Sequence, residues 1–150
     1  MKYFLIILLF PVLLSAQGDL YGADDVKWLT NYDEAIKKAK KEQKNVLVYF
    51  TGSDWCPPCK KLKTDLFESP EFVAISKNYV LLYVDLPRNK DLLSKDQLKH
   101  NYDLASRYNK KNAVPLLKVL NSKGSSLGEY SGYSMTGDTQ YHLRLLEQHQ

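Results

Sequence analysis

Apolar residues recur at threes and fours in some stretches of this chain and crowd into short unbroken runs in others. Trp28, Leu29, Tyr32, Ala35, Ile36 and Ala39 have helical spacing and predict an amphipathic helix over 28–44, with Thr30 or Asn31 as its cap. The run NVLVYF, 45–50, is β-branched and aromatic and long enough for a buried strand. Beyond the turn Thr51-Gly52-Ser53-Asp54, the residues Cys59, Leu62, Leu66 and Phe67 share a helical face. Ser69-Pro70 should bend or end that helix before a last turn in FVAIS. A second strand is expected in YVLLYVDL, 79–86. The lysine-rich stretch 87–101, opening on Pro87, reads as a loop with a short helical turn around Leu92, Leu93 and Leu98. NYDLASRYN should be helical, with Leu104, Ala105 and Tyr108 on one face. AVPLLKVLN forms a strand opened by Pro115, and after a Ser-Lys-Gly turn SLGEYSGY is its hairpin partner. A final helix starting at Asp138 would present Tyr141, Leu145 and Leu146 to the core. The order α-β-α-β-α-β-β-α implies an α/β fold, a central mixed sheet flanked by helices on both faces.

The N-terminus follows another pattern. Lys2 precedes an almost unbroken apolar run over 4–14, interrupted only by Pro11, and the small-residue stretch Ser15-Ala16-Gln17-Gly18 follows. This is the layout of a secretory signal peptide of bacterial type, and the run is too short to span a bilayer comfortably; a retained anchor helix is the alternative. Residues 1–18 are thus expected to be removed, leaving one domain, 19–150, in the periplasm or outside the cell, without stable membrane insertion. No cysteine near the cleavage zone offers a lipid attachment point.

Charge changes the picture little. The chain has 21 Lys and Arg against 17 Asp and Glu, and losing Lys2 lowers the net charge from +4 to +3. That is too mild to point to nucleic acid, and the lysines of AIKKAKKEQK read as the solvated side of a helix. Neither an internal repeat nor a second-domain linker is visible.

Both cysteines lie in SDWCPPCKKL, as Cys56 and Cys59. A disulfide there closes a loop too short to restrain the unfolded chain much, so stability is a poor reason for the pair. A zinc site would need two more ligands, and His100, His142 and His149 are not at ligand spacing, so no metal and no cofactor is expected. Redox chemistry fits better. Cys56 falls where a strand ends and a helix begins, so its sulfur faces free backbone N–H groups that favour the reactive thiolate. Cys59, one turn on, is placed to close an internal disulfide. Pro57 and Pro58 suit the first helical positions, although Pro57 removes one N–H donor from the thiolate.

The stretch VLVYFTGSDWCPPCKKL, the YVLLYVDL strand and the later AVP resemble the thioredoxin superfamily over nearly the whole mature chain. YDEAIKKAKKEQKNVLVYFTGSDWCPPCKKL and LFESPEFVAI are similar to secreted bacterial thioredoxin-like proteins and to the periplasmic C-terminal domain of thiol–disulfide interchange reductases. The resemblance implies that Cys56 is the nucleophile and Cys59 the resolving cysteine. It implies that Pro115, preceded by Val114, is a cis proline guiding the substrate backbone, and that Trp55 is the aromatic flanking the motif. Many thioredoxins carry a buried aspartate in the strand before the motif, where Tyr49 stands here. Asp54, Lys60 and water are then candidate partners for the Cys59 proton. The implied function is dithiol–disulfide exchange on disulfide-containing proteins, in the reducing direction, fed by a membrane-bound electron donor. A thioredoxin-fold interaction module with little turnover is the alternative, and a small-molecule peroxidase a weaker one.

Overall fold

Alternate residues of the NVLVYF run point to opposite sides of a sheet, and both sides are covered. The computed structural model describes residues 26–150, so the expected signal peptide at 1–18 lies outside the described residues. The run forms β2 (Asn45–Thr51), which pairs in parallel with β3 (Tyr79–Asp85) and antiparallel with β4 (Leu116–Leu120). A short β1 (Trp28–Leu29) lies parallel beside β3, and β5 (Ser126–Ser131) runs antiparallel to β4. The sheet order is β1-β3-β2-β4-β5.

Val46, Val48 and Phe50 pack on one side with Ala35 and Ala39 of α1 (Tyr32–Glu42) and Leu104 and Ala105 of α4 (Lys95–Tyr108). Leu47 and Tyr49 face the other side. There they meet Leu62 of α2 (Pro57–Leu62), Phe72 of α3 (Pro70–Ser76), and Leu145 and Leu146 of α5 (Gln140–Gln148). Between α2 and α3 the backbone widens into a π turn, Lys63–Phe67, which puts Leu66 and Phe67 into that second core. Ser69 ends this run and caps α3 through Phe72 N–H. The α/β class and the mixed sheet between helices are as the pattern of apolar positions implies.

Four local expectations need correction. Trp28 and Leu29 are not helical; they pair with Leu81 and Leu82, and the Trp28 ring packs against Tyr49, Phe67, Phe72 and Tyr83. Burying that aromatic surface at the sheet edge overrides the helical spacing. Asn31, one of the two expected caps, does start the helix, extended and accepting from Glu34 N–H at 2.9 Å. The expected loop over 87–101 is helical from Lys95, capped by Ser94, after a short 3₁₀ turn at Lys90–Leu92. Its inward positions there are Gln97, His100 and Asn101, a hydrogen-bonded rather than an apolar face. The last helix starts at Gln140, with Asp138 accepting its N–H at 3.0 Å. Tyr141 is 49% exposed, because His142 takes the inward position.

Candidate active site

The turn after β2 is built on one carbonyl. Gly52 O accepts from Trp55 N–H (3.2 Å) and Cys56 N–H (2.9 Å), which tightens the chain so that Cys56 becomes the N-cap of α2. Its carbonyl then accepts from Cys59 N–H (3.1 Å) and Lys60 N–H (3.2 Å), and its Sγ accepts from Cys59 N–H at 3.2 Å. Pro57 and Pro58 fill the first two helical positions, so Cys59 carries the first N–H of the helix. The two sulfurs are joined in a disulfide with the Cα atoms 5.3 Å apart. Both residues are shielded, Cys56 at 3% and Cys59 at 2% exposure. Pro57 and Lys60 are exposed; Pro58 and Trp55 are half-buried.

Pro115 comes to the same end of the sheet, since Leu116 pairs with Phe50 just before the turn. The Val114–Pro115 peptide bond is cis. The Pro115 carbonyl accepts from Gly132 N–H at 2.8 Å, which ties the β5–α5 loop to it, and Val114 packs against the α1/α4 core.

Outside Cys56, the segment after β3 straps the turn. Asp54 accepts from Arg88 N–H (3.0 Å) and Asn89 N–H (2.8 Å), one through each carboxylate oxygen. The Asn89 contact first, with the Arg88 contact behind it, holds its carboxyl below the usual carboxylate value. Trp55 Nε1–H donates to Leu86 O at 2.9 Å, and the Arg88 guanidinium lies 4.7 Å from the centre of the indole. Lys60 Nζ reaches Asp54 O at 3.3 Å. Gly52 allows this arrangement, because a Cβ there would run into the indole of Trp55.

Behind Cys59 the surroundings are buried. The Tyr49 hydroxyl donates to Cys59 O at 3.1 Å, and burial pushes its pKa far up. Tyr83 is pushed up to about 12, by burial first and then by the charge of Asp85. A cleft of about 650 Å³ opens here, lined among others by Trp28, Tyr49, Thr51, Ser53, Cys59 and Tyr83. Asp85, 6% exposed, ends β3 opposite Thr51. It accepts from Ser53 N–H (2.8 Å) and Ser53 Oγ–H (2.5 Å). Its backbone carbonyl accepts from buried Asn101 at 2.8 Å.

Sequence reasoning missed Ser53, Asp85 and Arg88. A lone carboxylate closing the apolar run YVLLYVDL was a usable signal for Asp85; nothing local marked Arg88. Among the described residues no group of three or more His, Cys, Asp and Glu side chains is placed to hold a metal ion.

A mixed sheet with helices on both faces, a C-x-x-C pair at a strand-to-helix junction and a cis proline at the same end make the constellation of a thiol–disulfide oxidoreductase. A family model described as Thioredoxin-like matches residues 27–122, and the chain belongs to that family. It is 29% identical over 140 residues to the thioredoxin-related protein DsbJ of Chlamydia pneumoniae, covering 89% of this chain and 39% of that one. It is 29% identical over 121 residues to the disulfide bond reductase DsbH of the same organism, covering 80% and 70%. The chain thus spans well under half the length of DsbJ. The solved DsbH oxidoreductase superposes with a TM-score of 0.71 at 26% identity, covering 81% of this chain and 83% of that one. A Thermus thermophilus thioredoxin superposes with a TM-score of 0.61 at 20% identity, covering 83% and 86%, which speaks for the fold.

Proposed function

We propose that this protein reduces disulfide bonds in other proteins by dithiol–disulfide exchange. The observation that carries the reading is the Cys56–Cys59 disulfide at the start of α2, with the Cys56 sulfur facing the first helical N–H. In the reduced protein the Cys56 thiolate attacks a substrate disulfide. A Cys56–substrate disulfide forms, the substrate S–S bond breaks, and the first thiolate leaves. Cys59 then attacks the Cys56 sulfur, closing the internal disulfide and expelling the second thiolate. Two electrons pass from the dithiol to the substrate, and two protons follow them. Pro115 lines up the substrate backbone, and Trp55 supplies the flanking aromatic wall.

The donors around the thiolate support the reducing direction. Helix ends stabilise a thiolate through the dipole and free N–H groups. Pro57 and Pro58 remove two of those groups, leaving the N–H of Cys59 on the Cys56 sulfur. A weakly stabilised thiolate disfavours the dithiol form, so the potential should lie near the thioredoxin end of the scale, about −270 mV, rather than near the strong oxidants at about −120 mV. The name of the reductase relative agrees with this. The working place is the periplasm or beyond it, after removal of residues 1–18, and a membrane-bound donor returns the protein to its dithiol form.

Reduction of insulin-type disulfides tests the reading. The wild type should be active and Cys56→Ser should fall to the uncatalysed rate, whereas an interaction module would show no difference. Equilibration against glutathione tests the direction, and a potential near that of the strong oxidants would reverse it.

A further inference from the structure

Closing the disulfide requires Cys59 to lose a proton inside a site where it is 2% exposed. A buried thiol without a base ionises poorly, so the exchange step needs an acceptor nearby. Three groups near the motif are poorly suited. Asp54 is only half-buried and faces the segment after β3, where its carboxylate holds the N–H groups of Arg88 and Asn89. Tyr49 already donates its hydroxyl proton to the Cys59 carbonyl. Lys60 is exposed and points at Asp54 O.

Asp85 differs from all of them. It is the one buried carboxylate among the described residues. Both its oxygens receive hydrogen from Ser53, one from the backbone N–H and one from the hydroxyl. Because the Ser53 hydroxyl gives its hydrogen to Asp85, its lone pairs remain to accept another. Ser53 and Cys59 line the same cleft. The charge of Asp85 is felt by Tyr49 and Tyr83, which line that cleft too, so the carboxylate stands within electrostatic reach of it.

We propose that Asp85 is the proton acceptor for Cys59, working through the Ser53 hydroxyl. The Cys59 proton enters at Ser53 Oγ as the proton of that hydroxyl passes to Asp85. The Cys59 thiolate then attacks Cys56, and the proton leaves Asp85 for the departing thiolate or for solvent. Charge and atoms balance without any further reactant. This inference rests on the dithiol-exchange reading.

Stopped-flow reaction of the reduced protein with dithionitrobenzoate separates the two cysteines. A first thionitrobenzoate is released on attack by Cys56, and a second on attack by Cys59. Asp85→Asn should leave the first phase intact and slow the second by about a hundredfold, the low end of what a positioned base contributes. Ser53→Ala, which retains the carboxylate, should slow the same phase, and Asp85→Glu should restore part of the Asp85→Asn loss. In a Cys56→Ser background, Asp85→Asn should move Cys59 ionisation to lower pH, because a neighbouring negative charge is gone. A merely structural residue would not slow a step while easing ionisation of its thiol. An unchanged second phase, or equal slowing of both phases, overturns the proposal. Any C-x-x-C dithiol reacts with this probe, so the outcome is independent of whether the wild type reduces protein disulfides. Failure in the insulin-type assay would instead sink the functional reading.

Discussion

Cys56 and Cys59 are three positions apart, yet the structures that hold their two sides obey different rules. On the Cys56 side the turn is fastened by exposed or half-exposed groups: the Asp54 carboxylate on two backbone N–H groups, and Arg88 over the outer face of Trp55. Water can replace any of these contacts at small cost. On the Cys59 side the fastening is buried. Tyr49 meets Phe67 at 4.7 Å and Tyr83 at 5.8 Å between ring centres, and Asp85 and Ser53 satisfy each other. Lost contacts there leave cavities or unpaired polar groups that water cannot easily repair. On the roles proposed above, Cys56 must be reached by a large substrate and its surroundings stay adjustable, whereas Cys59 attacks only within the chain and can keep a fixed environment. The comparison predicts that perturbing the inner side costs stability, while perturbing the outer side changes the shape and access of the turn.

The largest effect is expected for Tyr49→Ala. It removes the ring that bridges Trp28, Phe67 and Tyr83 and frees the Cys59 carbonyl. Large aromatic truncations in a core cost about 3–5 kcal/mol. The urea midpoint measures it, and a loss below about 1 kcal/mol would show that the inner side is not rigidly packed. Next comes Gly52→Ala. The new methyl group would overlap the Trp55 indole, so the ring must leave its place. Overpacking of this kind costs about 1–3 kcal/mol. The hydrogen bond from Trp55 Nε1–H to Leu86 should be lost too, which the indole N–H resonance would report. An unmoved resonance would mean that Gly52 yields elsewhere.

The same division explains how much the sequence disclosed. The core and the class of fold were legible because β2, β3 and β4 bury apolar residues on both faces, and such runs can hardly be anything but interior strands. The dithiol was legible because its chemistry depends on two residues at one spacing. Asp85 left one local mark, a lone carboxylate closing an apolar run, but its partnership with Ser53 left none, since it arises from β3 ending opposite Thr51. The helical start of α4 escaped for a related reason. Its inward face at Gln97, His100 and Asn101 is held by hydrogen bonds to Thr30 O, Tyr32 N–H and Asp85 O, where hydropathy reads only polarity. Trp28 was misplaced because one large aromatic, surrounded by four others, outweighs helical spacing.

A smaller effect tests the support behind Pro115. His142 is buried, and its Nε2–H, a tautomer assigned from its partner, donates to Gly132 O at 3.1 Å. Gly132 N–H in turn donates to the Pro115 carbonyl. His142 Nδ1 has no hydrogen-bond partner among the described residues. The rings of Tyr130 and Tyr133 stand edge-on to the imidazole, and Asp138 is the charged group that acts on it. Burial lowers the pKa of His142 below the ordinary 6.5, and the Gly132 bond and the Asp138 charge oppose that only in part. The folded protein therefore binds fewer protons here than the unfolded chain. Stability should rise with pH up to about 6.5 and fall as the pH drops below it, until the lowered folded value is reached. Urea midpoints at pH 7.5 and 5.5 should differ in that sense for the wild type, and by less for His142→Gln. Equal differences in the two proteins would remove His142 from the account.

The smallest effect belongs to Asp54, and it tests the outer side most directly. Its carboxyl is held below the ordinary 3.8 mainly by the N–H of Asn89, with that of Arg88 adding to it against some desolvation. The sign follows from that depression. The clamp is complete above the unfolded value and is lost as the pH falls through the lower, folded one. The backbone amide resonances of Arg88 and Asn89 should therefore stay constant from neutral pH down to about 4 and move together only below the ordinary carboxylate value. In Asp54→Asn that transition should vanish and the amides should exchange faster with solvent, while the urea midpoint hardly changes, as expected for contacts that water can replace. The second phase of the dithionitrobenzoate reaction should also be unaffected, since Asp54 has no part in deprotonating Cys59. A slowed second phase in Asp54→Asn would couple the outer strap to the inner thiol, and the division between the two sides would no longer stand.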